Sequence, residues 1–197
     1  MKREAGGSGD AVLVIDVLSD FRFVDGAALL RRFRPCVAPL AQLLRRARKR
    51  GVPVIYANDN FGRWRSNADD VGERIRVANP AAWHALEPIR PCPSDYVVLK
   101  PRHSAFYCTP LELLLEALDV RRLVLTGVSA SSCIWFTGAD AHVRGYQVVV
   151  PSDGVAAASV RLRSAVLEIM RDSLGAQVVT ARGVRFTRSR TASHAAG

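Results

Sequence analysis

The sequence predicts an α/β protein with three layers, in which a six-stranded, mostly parallel, Rossmann-like sheet lies between two layers of helices. Apolar runs typical of strands alternate along the chain with segments of helical periodicity. The strand runs are almost continuously apolar, as expected for parallel strands that are buried on both faces. The length of 197 residues and the apolar share of 49% fit one domain with a full core.

The strands are predicted from short apolar runs that end at polar residues or turn signals. The first run ends at Asp16, the third at Lys100, and the fourth breaks at Gly127. The six predicted strands, in chain order, are residues 11–15, 52–57, 96–99, 122–126, 146–150 and 177–180.

The helices are predicted from apolar residues at helical spacing. Residues 26–50 show this spacing up to Gly51, with Pro35 and Pro39 expected to break or kink the first half. A second helix, 111–118, follows a capping Thr109 with Pro110 in its first position. Further helices are expected after Gly127 and over 160–174. Residues 58–93 form the longest irregular stretch, with a weak helix near 71–77, and loops of that length are often functional.

The chain is divided by composition into a domain and two polar ends. Residues 1–10 are predicted to be a flexible N-terminus, 11–181 the folded domain, and 182–197 a basic flexible tail. No apolar run approaches the roughly 20 residues needed to span a bilayer, and the run at 11–15 is too short for a signal peptide. We therefore expect a cytoplasmic protein without a membrane partner.

The formal net charge of +10 comes almost entirely from arginine. Arginine blocks at 31–34, 45–50 and 182–190 are compatible with binding to nucleic acid or another polyanion. No nucleic-acid motif accompanies them, so solvated helix faces and a basic tail are favoured, and the charge is expected at most to attract anionic substrates. The four cysteines are far apart and lack a C-x-x-C pair, which indicates free thiols rather than a zinc knuckle or a disulfide framework.

Three chemically useful residues follow predicted strands, at the edge where parallel sheets bind their ligands. They are Asp16, Lys100 and Cys133, the last in the first turn of a predicted helix. The helix N-terminus and the ammonium are expected to lower the thiol pKa, while the carboxylate accepts the thiol proton. Taken singly, each residue has an ordinary alternative: a helix cap, a solvated strand end and a small buried hydrophobe.

Four segments of the chain carry a resemblance to a known family: 14–21, 99–106, 125–133 and 137–156. Their order and content resemble those of the isochorismatase-like cysteine hydrolases, which include nicotinamidases and N-carbamoylsarcosine amidase. The resemblance implies a catalytic triad of Asp16, Lys100 and Cys133, and a cis peptide bond between Val128 and Ser129. It also implies an oxyanion hole formed by the backbone N–H groups of Ser129 and Cys133.

The activity implied by this resemblance is hydrolysis of a C–N bond in a small amide, ureido or carbamoyl compound through a thioester. Nicotinamidase-like members carry an Asp-x-His metal signature after the second strand. Here no histidine follows Asp59, and the four histidines are scattered. We therefore expect no metal and no cofactor, and nicotinamide is disfavoured as the substrate.

Two other functions stay open at this point. One is hydrolysis of the vinyl ether of isochorismate, although members with that activity generally lack the cysteine found at Cys133. The other is a non-catalytic module that binds anions or nucleic acid.

Predicted substrate-binding residues are Phe21, Asn60, Trp64 and Trp135, which lie near strand ends or directly after the nucleophile. Core or subunit-interface positions are the alternative for Phe21 and Trp135. A small-molecule substrate is expected as the partner. The resemblance also implies self-association into a homodimer or homotetramer.

Overall fold

A single parallel sheet of seven strands forms the centre of the molecule. The structure, a computed structural model, describes residues 9–63 and 68–187. The strands are β1 (Asp10–Ile15), β2 (Val54–Asp59), β3 (Tyr96–Lys100), β4 (Arg122–Val128), β5 (Gln147–Pro151), β6 (Val155–Ala156) and β7 (Gln177–Val179). Their order across the sheet is β3-β2-β1-β4-β5-β7, with β6 paired to β4, and every pairing is parallel. The predicted fold class is confirmed.

Helices cover both faces of this sheet. They are α1 (Gly26–Lys49), α2 (Ala68–Ala78), α3 (Pro80–Ala85), α4 (Leu111–Ala117), α5 (Trp135–Val143) and α6 (Val160–Leu174). One hydrophobic cluster packs α1 against the sheet, and a second contains buried residues of α4, α5 and α6 on the other face. Strand β1, at the centre, is completely buried along its apolar run. This burial explains why its sequence lacks the alternation of a half-exposed strand.

The sheet has one strand more than predicted. Strand β6 is only two residues long and follows a turn at 152–154, so its apolar pattern is too short to be recognised. It pairs with Gly127 and Val128 at the end of β4, beyond the last residues that β5 contacts. The extra strand therefore supports the part of β4 that precedes the predicted nucleophile.

Helix α1 is continuous, so the break that the sequence offers for its first half does not occur, and a kink there stays a prediction. Both Pro35 and Pro39 lie inside it. Its buried face, which includes Phe33, Leu40 and Leu44, fixes the helix on the sheet along its whole length. Packing of this face outweighs the backbone hydrogen bonds that the two prolines remove. The helix ends as predicted, with Gly51 in the left-handed region and its N–H bonded to the carbonyl of Arg48.

Two other local predictions need correction. Pro110 rather than Thr109 is the N-cap of α4, although Oγ1 of Thr109 still accepts a hydrogen bond from the N–H of Leu111. The stretch 58–93 is more regular than expected, since it contains α2, α3 and a 3₁₀ turn at Glu87–Ile89. Across the described residues, no helix is long and apolar enough to cross a membrane.

Candidate active site

The carboxylate of Asp16 is positioned by the end of β1. The Asp16 backbone has φ of 51°, in the left-handed region, which turns the chain out of the sheet directly after Ile15. One carboxylate oxygen, Oδ1, accepts a hydrogen bond of 2.8 Å from the backbone N–H of Asp59 on the neighbouring strand β2. The side chain therefore sits at the carboxyl edge of the sheet, as the sequence predicts.

Lys100 is the last residue of β3, and its side chain is completely buried. Its Nζ lies 2.7 Å from Oδ2 of Asp16 and 3.6 Å from Sγ of Cys133. A third contact, of 3.1 Å, is donated to the carbonyl oxygen of Arg102. The ammonium thus contacts both other members of the predicted triad, and all three residues lie together.

The turn that carries Cys133 follows β4. The strand does not break at Gly127 but continues to Val128, where a cis peptide bond leads to Ser129, as the resemblance implied. Gly127 has φ of 108°, and a Cβ there would lie 2.1 Å from the carbonyl oxygen of Ile15. Only glycine lets the two strands approach this closely.

Cys133 was expected in the first turn of a helix, and the structure places it in a π-helical turn at the start of the helical segment. This turn, Ala130–Ile134, leads directly into α5. A wide turn of this kind is common at functional sites. It sets the thiol at the start of the helical segment, facing Asp16 and Lys100.

The electrostatics of the resting site differ from the expectation of a low thiol pKa. Burial and the neighbouring carboxylate of Asp16 raise the pKa of the Cys133 thiol to about 12, and Lys100 offsets only part of this. Burial also raises the pKa of Asp16, against the effect of Lys100. Although burial alone would lower the pKa of Lys100, the carboxylate beside it raises the pKa overall. The resting thiol therefore keeps its proton, next to a lysine–carboxylate pair.

A cavity of about 420 Å³ opens beside Cys133, within the size range of small-molecule sites. Its polar residues include Asp16, Asp59, His103 and the serines around the nucleophile, and its apolar wall contains three phenylalanine rings. The lining residues are Asp16, Ser19, Phe21, Phe23, Leu29, Asp59, Phe61, His103, Val128, Ser129, Ser132 and Cys133.

Three residues with an uncommon backbone conformation line this cavity. Asp16, Phe21 and Phe61 line it and have φ between 51° and 53°, a region that residues other than glycine rarely occupy. Such conformations persist where the surrounding structure enforces them, and they cluster at functional sites. Here they direct one carboxylate and two aromatic rings into the same space.

The predicted substrate-binding residues are only partly brought together. Phe21 lines the cavity, whereas Asn60 and Trp135 are not among the lining residues. Asn60 is buried and accepts a hydrogen bond from the N–H of Gly62, and Trp135 packs against the hydrophobic cluster of α4, α5 and α6. Trp64 lies outside the described residues.

His103 is the clearest residue that the sequence analysis did not assign to the site. Its Nδ1 lies 3.8 Å from Sγ of Cys133 and 3.2 Å from Oγ of Ser132, and its ring stacks on Phe136. The available signal was its position three residues after Lys100, on the loop that leaves the same strand end.

Asn58, near the end of β2, was also missed. Its amide exchanges two hydrogen bonds of 2.9 Å with the backbone of Leu18, and it is almost completely buried. The contact joins the loop after β1 to the neighbouring strand, and that loop carries Ser19 and Phe21 into the cavity. A lone asparagine at a strand end gives no signal of this in the sequence.

The loop after Lys100 is fixed to α5 by two side-chain contacts. Oγ1 of Thr137, which is fully buried, accepts a hydrogen bond of 3.0 Å from the N–H of Ala105. The hydroxyl of Ser104 donates to the carboxylate of Asp140. These contacts hold Lys100 and His103 in place relative to the helix that follows the nucleophile.

The residues after β2 do not fit the metal site expected of a nicotinamidase. Asp59 ends β2 and is followed by Asn60 and Phe61, so this segment supplies one carboxylate and no imidazole. Within residues 9–63 and 68–187, no three His, Cys, Asp or Glu side chains are grouped so that they could hold a metal ion. A reaction without metal stays a prediction.

The sequence of this chain is similar to those of known proteins. A model of the isochorismatase domain matches residues 10–183. The uncharacterized isochorismatase family protein YaaI of Bacillus subtilis is 32% identical over 170 residues, which are 86% of this chain and 93% of YaaI. The ureidoacrylate amidohydrolase RutB of Methylobacterium radiotolerans is 32% identical over 139 residues, and this chain covers 54% of its length.

Among solved structures, the N-carbamoylsarcosine amidase of Thermoplasma acidophilum matches with a TM-score of 0.68 and 26% identity. The match covers 89% of this chain and 98% of the amidase. The nicotinamidase of Bacillus subtilis matches with a TM-score of 0.69 and 25% identity over 86% of this chain and 98% of its own. The residues matched by the family model, 10–183, include every strand of the sheet and Asp16, Lys100 and Cys133.

Proposed function

Since the chain belongs to the isochorismatase family, we propose that it is a cysteine-dependent hydrolase that cleaves the C–N bond of a small amide, ureido or carbamoyl compound. The observation that carries the proposal is the contact of Lys100 with both Asp16 and Cys133 beside an open cavity. Relatives named as ureidoacrylate amidohydrolase and N-carbamoylsarcosine amidase support this reaction class.

The first half of the proposed reaction forms a thioester. Because the resting thiol keeps its proton, Asp16 accepts that proton as Sγ of Cys133 attacks the substrate carbonyl. The backbone N–H groups of Ser129 and Cys133 hold the resulting oxyanion. Asp16 then returns the proton to the leaving nitrogen, the C–N bond breaks, and ammonia or an amine departs.

The second half releases the acid. Asp16, again a carboxylate, takes a proton from a water molecule, which attacks the thioester carbonyl. The C–S bond breaks as the second tetrahedral intermediate collapses, and the sulfur recovers its proton from Asp16. Lys100 keeps its charge throughout, which stabilises Asp16 as a carboxylate at the start of each half of the reaction.

The test is a screen of small amides, ureas and carbamoyl acids for ammonia release. We expect at least one class to be hydrolysed by the wild type and not by Cys133→Ala, while Cys108→Ala, which alters an exposed cysteine, keeps full activity. Hydrolysis by Cys133→Ala at the wild-type rate would overturn the cysteine mechanism. Cleavage of isochorismate without sensitivity to thiol alkylation would instead favour a vinyl-ether hydrolase.

Two further predictions from the sequence accompany this proposal. A cytoplasmic location is one of them. Self-association into a homodimer or homotetramer is the other, and sedimentation velocity of the purified protein measures it directly. The half-exposed ring of Phe136 and the exposed Val143, both on α5, offer apolar area for such a contact.

A further inference from the structure

A second cavity, of about 380 Å³, lies between α1 and the start of α6 and shares no lining residue with the candidate active site. Its wall contains three arginines, Arg31 and Arg32 from α1 and Arg163 from α6, and one acid, Asp153. Its remaining residues are mostly apolar. They are Pro35, Cys36, Ala156, Ala157, Ser159 and Val160.

Within the part of the chain that the structure describes, the three guanidinium groups of this cavity have no carboxylate partner, unlike several other arginines of the protein. Arg48, Arg122 and Arg144, for example, form ion pairs with carboxylates. Among the described residues, none of the three cavity arginines forms an ion pair. The cavity therefore has three positive charges against one negative charge.

Arg163 carries the most specific signal. Its Nε is buried and has no hydrogen-bond partner among the described residues. Among the described residues, Nε of Arg46 and of Arg90 is also buried without a partner, but only Arg163 of the three lines one of the two cavities. A buried donor without a partner often marks a place where a water molecule or an ion belongs. The acid of the cavity, Asp153, does not bond this Nε. Its Oδ1 accepts a hydrogen bond from the N–H of Ala181 instead.

We propose that this cavity binds a small oxyanion, such as a phosphate group, carried on a compact apolar body. Guanidinium groups suit a phosphate because they offer several N–H donors in a fixed plane. The apolar floor, formed by Cys36, Ala156 and Ala157, accommodates the body that carries the anion. The arginine block at 31–34 is thereby assigned in part to a ligand rather than to solvent alone.

The second cavity lies close to Val128, the last residue of β4 before the turn that carries Cys133. Ala156 lines this second cavity and pairs in β6 with Val128, which lines the active-site cavity. The paired ends of β4 and β6 therefore lie between the two cavities. The residues that line the two cavities nevertheless differ in chemistry.

The test measures binding of inorganic phosphate and of phenyl phosphate by titration calorimetry at fixed ionic strength. Both probes are expected to bind the wild type saturably, and phenyl phosphate more tightly, because of the apolar floor. Arg163→Gln, which removes the guanidinium but keeps a polar side chain, should weaken both by at least tenfold. Arg31→Gln alters an exposed side chain and provides a second variant whose folding is not at risk.

The matched control for Arg31→Gln is Arg34→Gln. It removes an exposed arginine that also lies on α1 but does not line the cavity. Its affinities should stay within twofold of those of the wild type. Absence of saturable binding would overturn the proposal. An equal loss of affinity in Arg34→Gln would also overturn it, because that result indicates a general charge effect. Equal affinity for the two probes would contradict the apolar part of the site.

Discussion

The ammonium of Lys100 and the carboxylate of Asp16 form a pair of 2.7 Å in which the lysine side chain is completely buried. Replacing Lys100 by Met leaves the carboxylate in a buried place without its counter-charge. Loss of one member of such a pair is strongly destabilising. We expect Lys100→Met to lower the free energy of unfolding by about 3 kcal/mol, as measured by urea denaturation, and to abolish hydrolysis. Lys49→Met, which alters an exposed lysine, should change stability by less than about 0.5 kcal/mol.

Removing the carboxylate should have opposite effects on the reactivity of the thiol and on catalysis. The charge of Asp16 helps to raise the pKa of Cys133 to about 12, and Lys100 lowers it. In Asp16→Asn the raising charge is gone and the ammonium stays, so the thiol pKa falls. Alkylation of Cys133 by iodoacetamide at about pH 8, near the ordinary thiol pKa, should become faster while hydrolysis is lost.

Peptide mass spectrometry measures the alkylation rate of each cysteine separately. The exposed Cys108 is the internal reference in both proteins. The rate at Cys108 should be the same in wild type and variant. Slower alkylation of Cys133 in Asp16→Asn would contradict the electrostatic account of the site.

Gly127 is predicted to tolerate no side chain. A Cβ would lie 2.1 Å from the carbonyl oxygen of Ile15, which belongs to the adjacent central strand. Gly127→Ala should destabilise the protein by roughly 3 kcal/mol or more, since the backbone must shift at the centre of the sheet. Gly145→Ala is the matched control, because Gly145 also has positive φ but a Cβ there would meet no atom within 4 Å. It should cost only about 1 kcal/mol, and equal thermal stabilities for the two variants would disprove the steric argument.

The hydroxyl of Thr137 is predicted to support the loop after Lys100. It accepts the hydrogen bond of the Ala105 N–H in a fully buried place. Thr137→Val keeps the shape of the side chain but leaves that N–H without a partner, which should cost about 1–3 kcal/mol and reduce kcat. Thr137→Ser keeps the hydroxyl and should retain most of the activity. If both variants have the same stability and kcat, the hydrogen bond has no positioning role.

The sequence was sufficient to predict the sheet and the meeting of three polar side chains at one edge. Asp16 and Lys100 directly end apolar runs, and parallel strands bring their carboxyl ends to the same side of a sheet. Strand β6 was missed because two residues carry no periodicity. The possible break in α1 does not occur, because the effect of its prolines is local, whereas the packing that offsets it comes from the sheet.

The cavity and its electrostatics were less accessible to sequence analysis. His103 and Asp59 reach the thiol and the carboxylate only through the path of two loops, which no short pattern specifies. The pKa of Cys133 was predicted in the wrong direction, because the sequence shows the charged neighbours but not the extent of burial. Trp135 follows the nucleophile directly, yet helical geometry turns it toward the hydrophobic core.

The most direct test of the proposed chemistry is to trap the covalent intermediate. The wild-type protein is mixed with a substrate found in the amide screen, quenched in acid within milliseconds, and analysed by peptide mass spectrometry. We expect an acyl group on the peptide that contains Cys133, formed before the acid product and absent after alkylation of that thiol. Turnover at the full rate with Cys133 already alkylated, and without any acyl adduct, would contradict the proposed chemistry.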